Sequence, residues 1–162
     1  MIAVLLSLAV GQYSLEPVIG FARGVAAAPP LPVGIHSKFK VSILNGTKVA
    51  VSFPSEKCSW GYEMISFELV SPAGKSQIIS RKPKSWYKNA LVGDSTSSTE
   101  MVIRSIDFSD GTWVGLPAGV SGQTDGWKIK VRAVVEKGKY LSDRGYWTGK
   151  MESKFTDAIV KD

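Results

Sequence analysis

Side chains able to do chemistry are sparse in this 162-residue chain, which holds one histidine, His36, and one cysteine, Cys58. A Ser-His-Asp or Cys-His device would have to use His36 as its general base. His36 follows a proline-rich stretch, however, and reads as a surface residue at the start of the first strand. One His with one Cys falls short of the three or four protein ligands that zinc sites usually draw, so no metal site is expected. Cys58 cannot form an internal disulfide and reads as a buried small hydrophobe, with an intermolecular thiol as the alternative. The tetrapeptide Ala73-Gly74-Lys75-Ser76 imitates the tail of a phosphate-binding loop, but Leu69 stands where that motif needs its first glycine. Asp107, Asp110 and Asp125 could supply a carboxylate pair for glycoside hydrolysis. All three fall at strand ends or loops, where such residues bond their own backbone. No catalytic residue and no cofactor is assigned, and the chain reads as a non-enzyme.

Binding chemistry is better represented. Arg81, Lys82, Lys84 and Lys88 surround the adjacent aromatics Trp86 and Tyr87 in an expected loop. Cations mixed with aromatics suit anion contact plus stacking on bases or sugars. The plainer reading is a solvated connection whose Trp86 packs back on the domain. A second basic feature is the outward face of WKIKVRAVV, with Lys128, Lys130 and Arg132, continuing towards Lys137 and Lys139. Lys38 and Lys40 extend it if their strands pair. Trp60, Trp113 and Trp127 fall at or near strand ends, where aromatics cover the ends of a sheet pair or form a sugar-stacking platform. Trp127 opens an alternating apolar face and reads as core. Trp86 and Trp113 are the candidates for exposure.

Lys+Arg 20 against Asp+Glu 14 gives a net charge of +6 and a pI near 9.4. That charge attracts anionic polymers weakly and with strong salt dependence. No nucleic-acid-reading motif is present, so no specific nucleic acid is expected. A hydrophobic fraction of 44% with 21% charged residues excludes a wholly disordered chain, a collagen repeat and a polytopic membrane protein.

Residues 2–10 read IAVLLSLAV, too short for a membrane span of about 20 residues but the length of a signal-peptide core. Val25-Ala26-Ala27-Ala28 offers the small residues that a signal peptidase reads, with a cut after Ala26 or Ala27 chemically easier than one before Pro29. Pro29, Pro30 and Pro32 favour an extended linker. Residues 1–33 are therefore expected to be a leader and linker and 34–162 the domain, in a secreted or periplasmic protein without a transmembrane span; the plainer reading of 1–33 is a frayed terminus or an added strand.

These binding residues need strands to position them. Phe39, Val41 and Ile43 alternate with Lys38, Lys40 and Ser42, and Val49, Val51 and Phe53 resume the pattern after Asn45-Gly46, which predicts a hairpin over 38–53. Ile65, Phe67 and Leu69, a turn at Ser71–Gly74, and Gln77–Ile79 predict a second. Glu100–Phe108 gives another strand, closed by Asp110-Gly111. Trp127, Ile129, Val131, Ala133 and Val135 define the clearest one, and a last runs from Tyr146 towards Ser153. No helical period lasts three turns. The expectation is an all-β antiparallel sandwich of about seven to nine strands.

Lys130-Val131-Arg132-Ala133, followed by a hairpin loop and by Trp147-Thr148-Gly149-Lys150 with Ser153, resembles the end of uncharacterised bacterial cell-envelope modules with an immunoglobulin-like sandwich. The resemblance covers about 27 residues and implies that fold and an envelope compartment, not an activity. The expected function is a non-catalytic structural or interaction module of the cell envelope, with a protein or polysaccharide partner. Two alternatives stand beside it. One is a binder of polysaccharide or another anionic polymer through the basic-aromatic loop. The other is a small protease inhibitor presenting the loop 115–126.

Overall fold

The computed structural model describes residues 15–20, 33–35, 38–45, 50–84, 96–98, 101–118, 125–136 and 139–160. The chain is all-β. Its strands are β1 (Leu15–Gly20), β2 (Val33–Gly34), β3 (Phe39–Asn45), β4 (Val51–Phe53), β5 (Ile65–Val70), β6 (Ser76–Arg81), β7 (Thr96–Ser98), β8 (Met101–Ile106), β9 (Trp113–Val114), β10 (Trp127–Val135), β11 (Gly149–Glu152) and β12 (Thr156–Ile159). Two short helices, α1 (Ser59–Glu63) and α2 (Lys139–Ser142), interrupt them. No helix among the described residues is long and apolar enough to cross a membrane.

A three-stranded sheet runs β1-β3-β8, and a seven-stranded sheet runs β2-β12-β10-β5-β6-β9 with β11 also on β10. All pairings are antiparallel except β2 with β12. The alternation read from the sequence explains why the two sheets face each other. Phe39, Val41, Ile43, Val102 and Ile106 of one sheet are buried, as are Phe67, Leu69, Ile79, Ile129, Val131 and Ala133 of the other. Between them Phe39, Phe67, Phe108 and Trp113 pack edge-to-face, with ring centroids 5.1–5.6 Å apart. That is the preferred arrangement of aromatic quadrupoles, and truncating any one of these rings to Ala would cost about 3–5 kcal/mol.

The second expected hairpin is present: Phe67 opposes Ile79 and Val70 opposes Ser76. Its turn is closed by Gly74 N–H donating to the Ser71 carbonyl at 2.8 Å, with Gly74 at φ +78°. β10 occupies the expected residues with the expected faces. β8 is followed by a 3-10 turn at Phe108–Asp110 and by Gly111 in the left-handed region, so Asp110-Gly111 does close it.

The hairpin expected over 38–53 does not form. β3 is paired along one edge with β1 and along the other with β8, leaving no edge for β4. β4 pairs instead with β7 in a separate ribbon. The partner that displaces it lies within the segment read as a leader, since Leu15–Gly20 forms β1 and Val33 begins β2. The last expected strand is also divided. Tyr146 makes only an isolated parallel bridge to Ser52, and β11 starts at Gly149. Arg132 opposes Glu152 while Ile129 opposes Thr156, so Ser153–Phe155 stand against only Lys130 and Val131. This bulge lets β11 and β12 follow one another along the same edge of β10.

Candidate functional site

The basic-aromatic segment is drawn into the fold where it is described. Arg81 ends β6 on its inward face, and its side chain is only 11% exposed. Its guanidinium lies 4.1 Å from the Trp113 ring centroid and 5.1 Å from that of Tyr62. Nη1 also donates to Asp110 Oδ2 at 3.0 Å and to the Thr112 hydroxyl. A planar cation stacked on aromatics and paired with a carboxylate is a brace between β6, β9 and the 3-10 turn. Burial pushes the Asp110 carboxyl up, but hydrogen bonds from the Thr112 hydroxyl and amide and from Arg81 outweigh it and hold it below the usual range. Lys82 Nζ donates to the Gly111 carbonyl at 2.7 Å, and Lys84 Nζ lies 4.5 Å over the Tyr62 ring. Trp86, Tyr87 and Lys88 lie outside the described residues. Trp113, expected to be exposed, is 4% exposed, because β9 turns it into the aromatic centre of the core.

The cationic face of β10 is real but largely compensated. Lys130 Nζ sits 3.0 Å from Glu68 Oε2 on β5 and 3.1 Å from Glu152 Oε2 on β11. Arg132 Nε donates to Glu152 Oε1 at 2.9 Å, and Lys150 Nζ reaches the same oxygen at 2.8 Å. Hydrogen bonds from Lys150 and Lys130 hold the Glu152 carboxyl down at about 2, and those from Lys130 and Ser76 lower that of Glu68. The same partners, Glu68 first, raise the pKa of Lys130. Lys128 is exposed and opposes Asp157 in the register. Lys38 and Lys40 do not extend this stripe. β3 belongs to the other sheet, and Lys38 pairs with Asp107 at 3.3 Å. Arg81 faces inward and the β10 cations outward, so the two basic features do not converge.

Another group of aromatics does converge, at the C-terminal end of β10. Trp60 comes from α1, Tyr140 from α2 and Trp147 from the approach to β11, and all three are half-buried against the core. α1 is fixed there because the Met64 carbonyl accepts from Val134 N–H at 2.9 Å. It also rests on the preceding turn, where Cys58 is buried and its thiol donates to the Ser55 carbonyl at 3.1 Å. The Trp60 and Tyr140 rings are stacked at 5.8 Å and 13°, and Arg144 Cζ lies 3.7 Å over Tyr140. Trp147 is held by its backbone N–H donating to the Ser52 carbonyl at 2.8 Å and by the Phe53 ring, whose centroid is 5.6 Å from its own. Gly149, at φ +148°, leaves room for that indole, which a Cβ would meet at 3.3 Å.

Two hollows open on either side of this strand end. One, of about 310 Å³, is lined by Ser59, Trp60, Glu63 and Val134–Glu136. The other, of about 560 Å³, is lined by the same Val134–Glu136 with Trp147, Thr148 and Lys150. Of these residues only Trp60 was marked in the sequence as a possible platform. The rest come from segments far apart in the chain, and the five Trp and five Tyr of the composition are the only signal for them. No group of three or more metal-ligating side chains occurs among the described residues. No protein-family model, curated protein or solved structure matches this chain.

Proposed function

We propose that this protein is a non-catalytic interaction module of the bacterial cell envelope, secreted or periplasmic, built as an immunoglobulin-like sandwich. The observation that carries the reading is the outer face of the three-stranded sheet. Leu44 on β3 and Ile103 on β8 are 45% and 46% exposed, the most exposed large apolar side chains among the described residues. They lie on adjacent strands of one face, where Met101 is the register partner of Leu44 and Ser42 that of Ile103. Adjacent apolar side chains on a sheet face favour a protein partner, whereas on the outer face of the other sheet the exposed Ile78, Val134 and Phe155 stand among paired charges. The envelope assignment rests on the apolar run at 2–10, the small residues at 25–28 and the resemblance of the C-terminal third.

Site-specific photo-crosslinking in the expressing cell tests it. A photoreactive residue at Ile103 is expected to trap a discrete protein adduct in the envelope fraction, while one at Lys128 traps none. Adducts at neither position, or equally at both, would sink the interaction face. An intact Met1 on a protein confined to the cytoplasm would sink the envelope assignment.

A further inference from the structure

We infer that the end of β10 is a binding site for an uncharged, β-linked glycan. The site shares no residue with the outer face that carries Leu44 and Ile103, so the inference stands or falls independently of the interaction-module reading. Three properties of the site select this ligand. Trp60 and Trp147 line neighbouring hollows that share the Val134–Glu136 strand end, so an indole stands on either side of it. The negative face of an indole attracts the polarised C–H groups on the flat face of a pyranose. An extended chain with equatorial linkages offers such faces in succession.

Second, the groups between and beside the indoles are hydrogen-bonding rather than purely apolar. Ser59, Glu63 and Glu136 line the Trp60 hollow, and Thr148 lines the other. Carboxylates accept from sugar hydroxyls, and hydroxyl side chains both give and accept, which fits a molecule that is apolar on its faces and polar at its edges. Third, the carboxylates of the Trp60 hollow disfavour anionic polymers. Among the described residues that line the Trp60 hollow the charged side chains are both carboxylates, Arg144 is engaged over Tyr140, and the cation of the second hollow, Lys150, is paired with Glu152 at 2.8 Å. A sulfated or uronic chain would meet Glu63 and Glu136 on arrival.

The platform is positioned in advance. Stacking with Tyr140 orients Trp60, Arg144 covers Tyr140, the Ser52 carbonyl holds the Trp147 backbone, and Phe53 packs on the Trp147 ring. Rigid aromatic anchors spend little conformational entropy on binding.

The full chain should be titrated with cellopentaose, with the pentamer of N-acetylglucosamine and with a heparin-derived hexasaccharide, following tryptophan fluorescence and heat. At least one uncharged pentasaccharide is expected to saturate at about 1 mM or below, with no saturation by the heparin fragment. Trp60→Ala should weaken that binding roughly tenfold or more, as truncation of an aromatic anchor does. Glu136 is exposed, so Glu136→Gln keeps its fold and keeps the idea testable should Trp60→Ala unfold; it should weaken binding about threefold or more. Three results would overturn the site. They are no saturation by either pentasaccharide up to about 10 mM, a heparin fragment that binds as well as they do, or unchanged affinity in folded Trp60→Ala and Glu136→Gln.

Discussion

A cation's partners decide what it can do, and Arg81 shows how far sequence alone misleads on that point. In RKPK it reads as one of a run of solvated charges. In the fold it stacks on Trp113 and pairs with Asp110, so its charge holds the protein together and is not displayed to a ligand. Lys130 and Arg132 are likewise answered by Glu68 and Glu152. Glu152 carries a pH dependence as a result. Its carboxyl is lowered from 4.5 to about 2, chiefly by hydrogen bonds from Lys150 and Lys130. A depressed folded pKa contributes stability that is fully present above pH 4.5 and lost as pH falls through about 2. These groups lie near the surface, so the contribution is about 0.5–1 kcal/mol. Denaturant unfolding of wild type and Glu152→Gln should therefore differ by that amount near pH 7 and converge near pH 2. A gap that is constant across the range would show that Glu152 acts through packing instead.

At the level of elements, period-two patterning places nearly every inward side chain of β3, β5 and β10 correctly, because a strand can turn only alternate residues to one side. Helix α1 depends on something that pattern does not encode. Gly61 sits so close to the preceding turn that a Cβ would lie 2.0 Å from the Ser55 carbonyl oxygen. Alanine in a helix is favoured over glycine by up to about 1 kcal/mol. Forced overlap with backbone costs about 1–3 kcal/mol and cannot be relieved by a rotamer. Gly61→Ala is thus expected to destabilise, by a net of about 1–2 kcal/mol in thermal or denaturant unfolding. A more stable variant would show that α1 can move away from Pro54–Ser55 without loss. Arg104 makes a comparable long-range tie. It is buried on β8, donates to the Pro54 carbonyl at 3.1 Å, and burial lowers its pKa.

The described residues form two packed sheets and a two-stranded ribbon, whose strand order cannot be read from strand positions. Asn45-Gly46 is the best local turn signal in the chain, yet β3 takes β1 and β8 as neighbours and β4 goes to β7. The cleavage expected near Ala26–Ala27 would remove β1 and leave β3 with one hydrogen-bonded neighbour. In a chain beginning at Ala27, about half of the β3 amides, those that point towards β1, should exchange with solvent faster than in the full chain, while those facing β8 keep their protection. Residue-resolved amide exchange over Phe39–Asn45 reads this directly. Unchanged protection would mean that another strand takes the vacated edge.

Side-chain alternation and short turns are local properties, so the all-β class, the inward faces of β3, β5 and β10, the β5–β6 hairpin and the burial of Trp127 are legible in the sequence. Tertiary packing sets which strands pair, which cations are already engaged, that Trp113 is core, and that Trp60 and Trp147 line hollows at one strand end. Each of these depends on residues distant in the chain. Pairing follows from competition for the two edges of a strand, and a charge is free or engaged according to what the opposing strand brings to it.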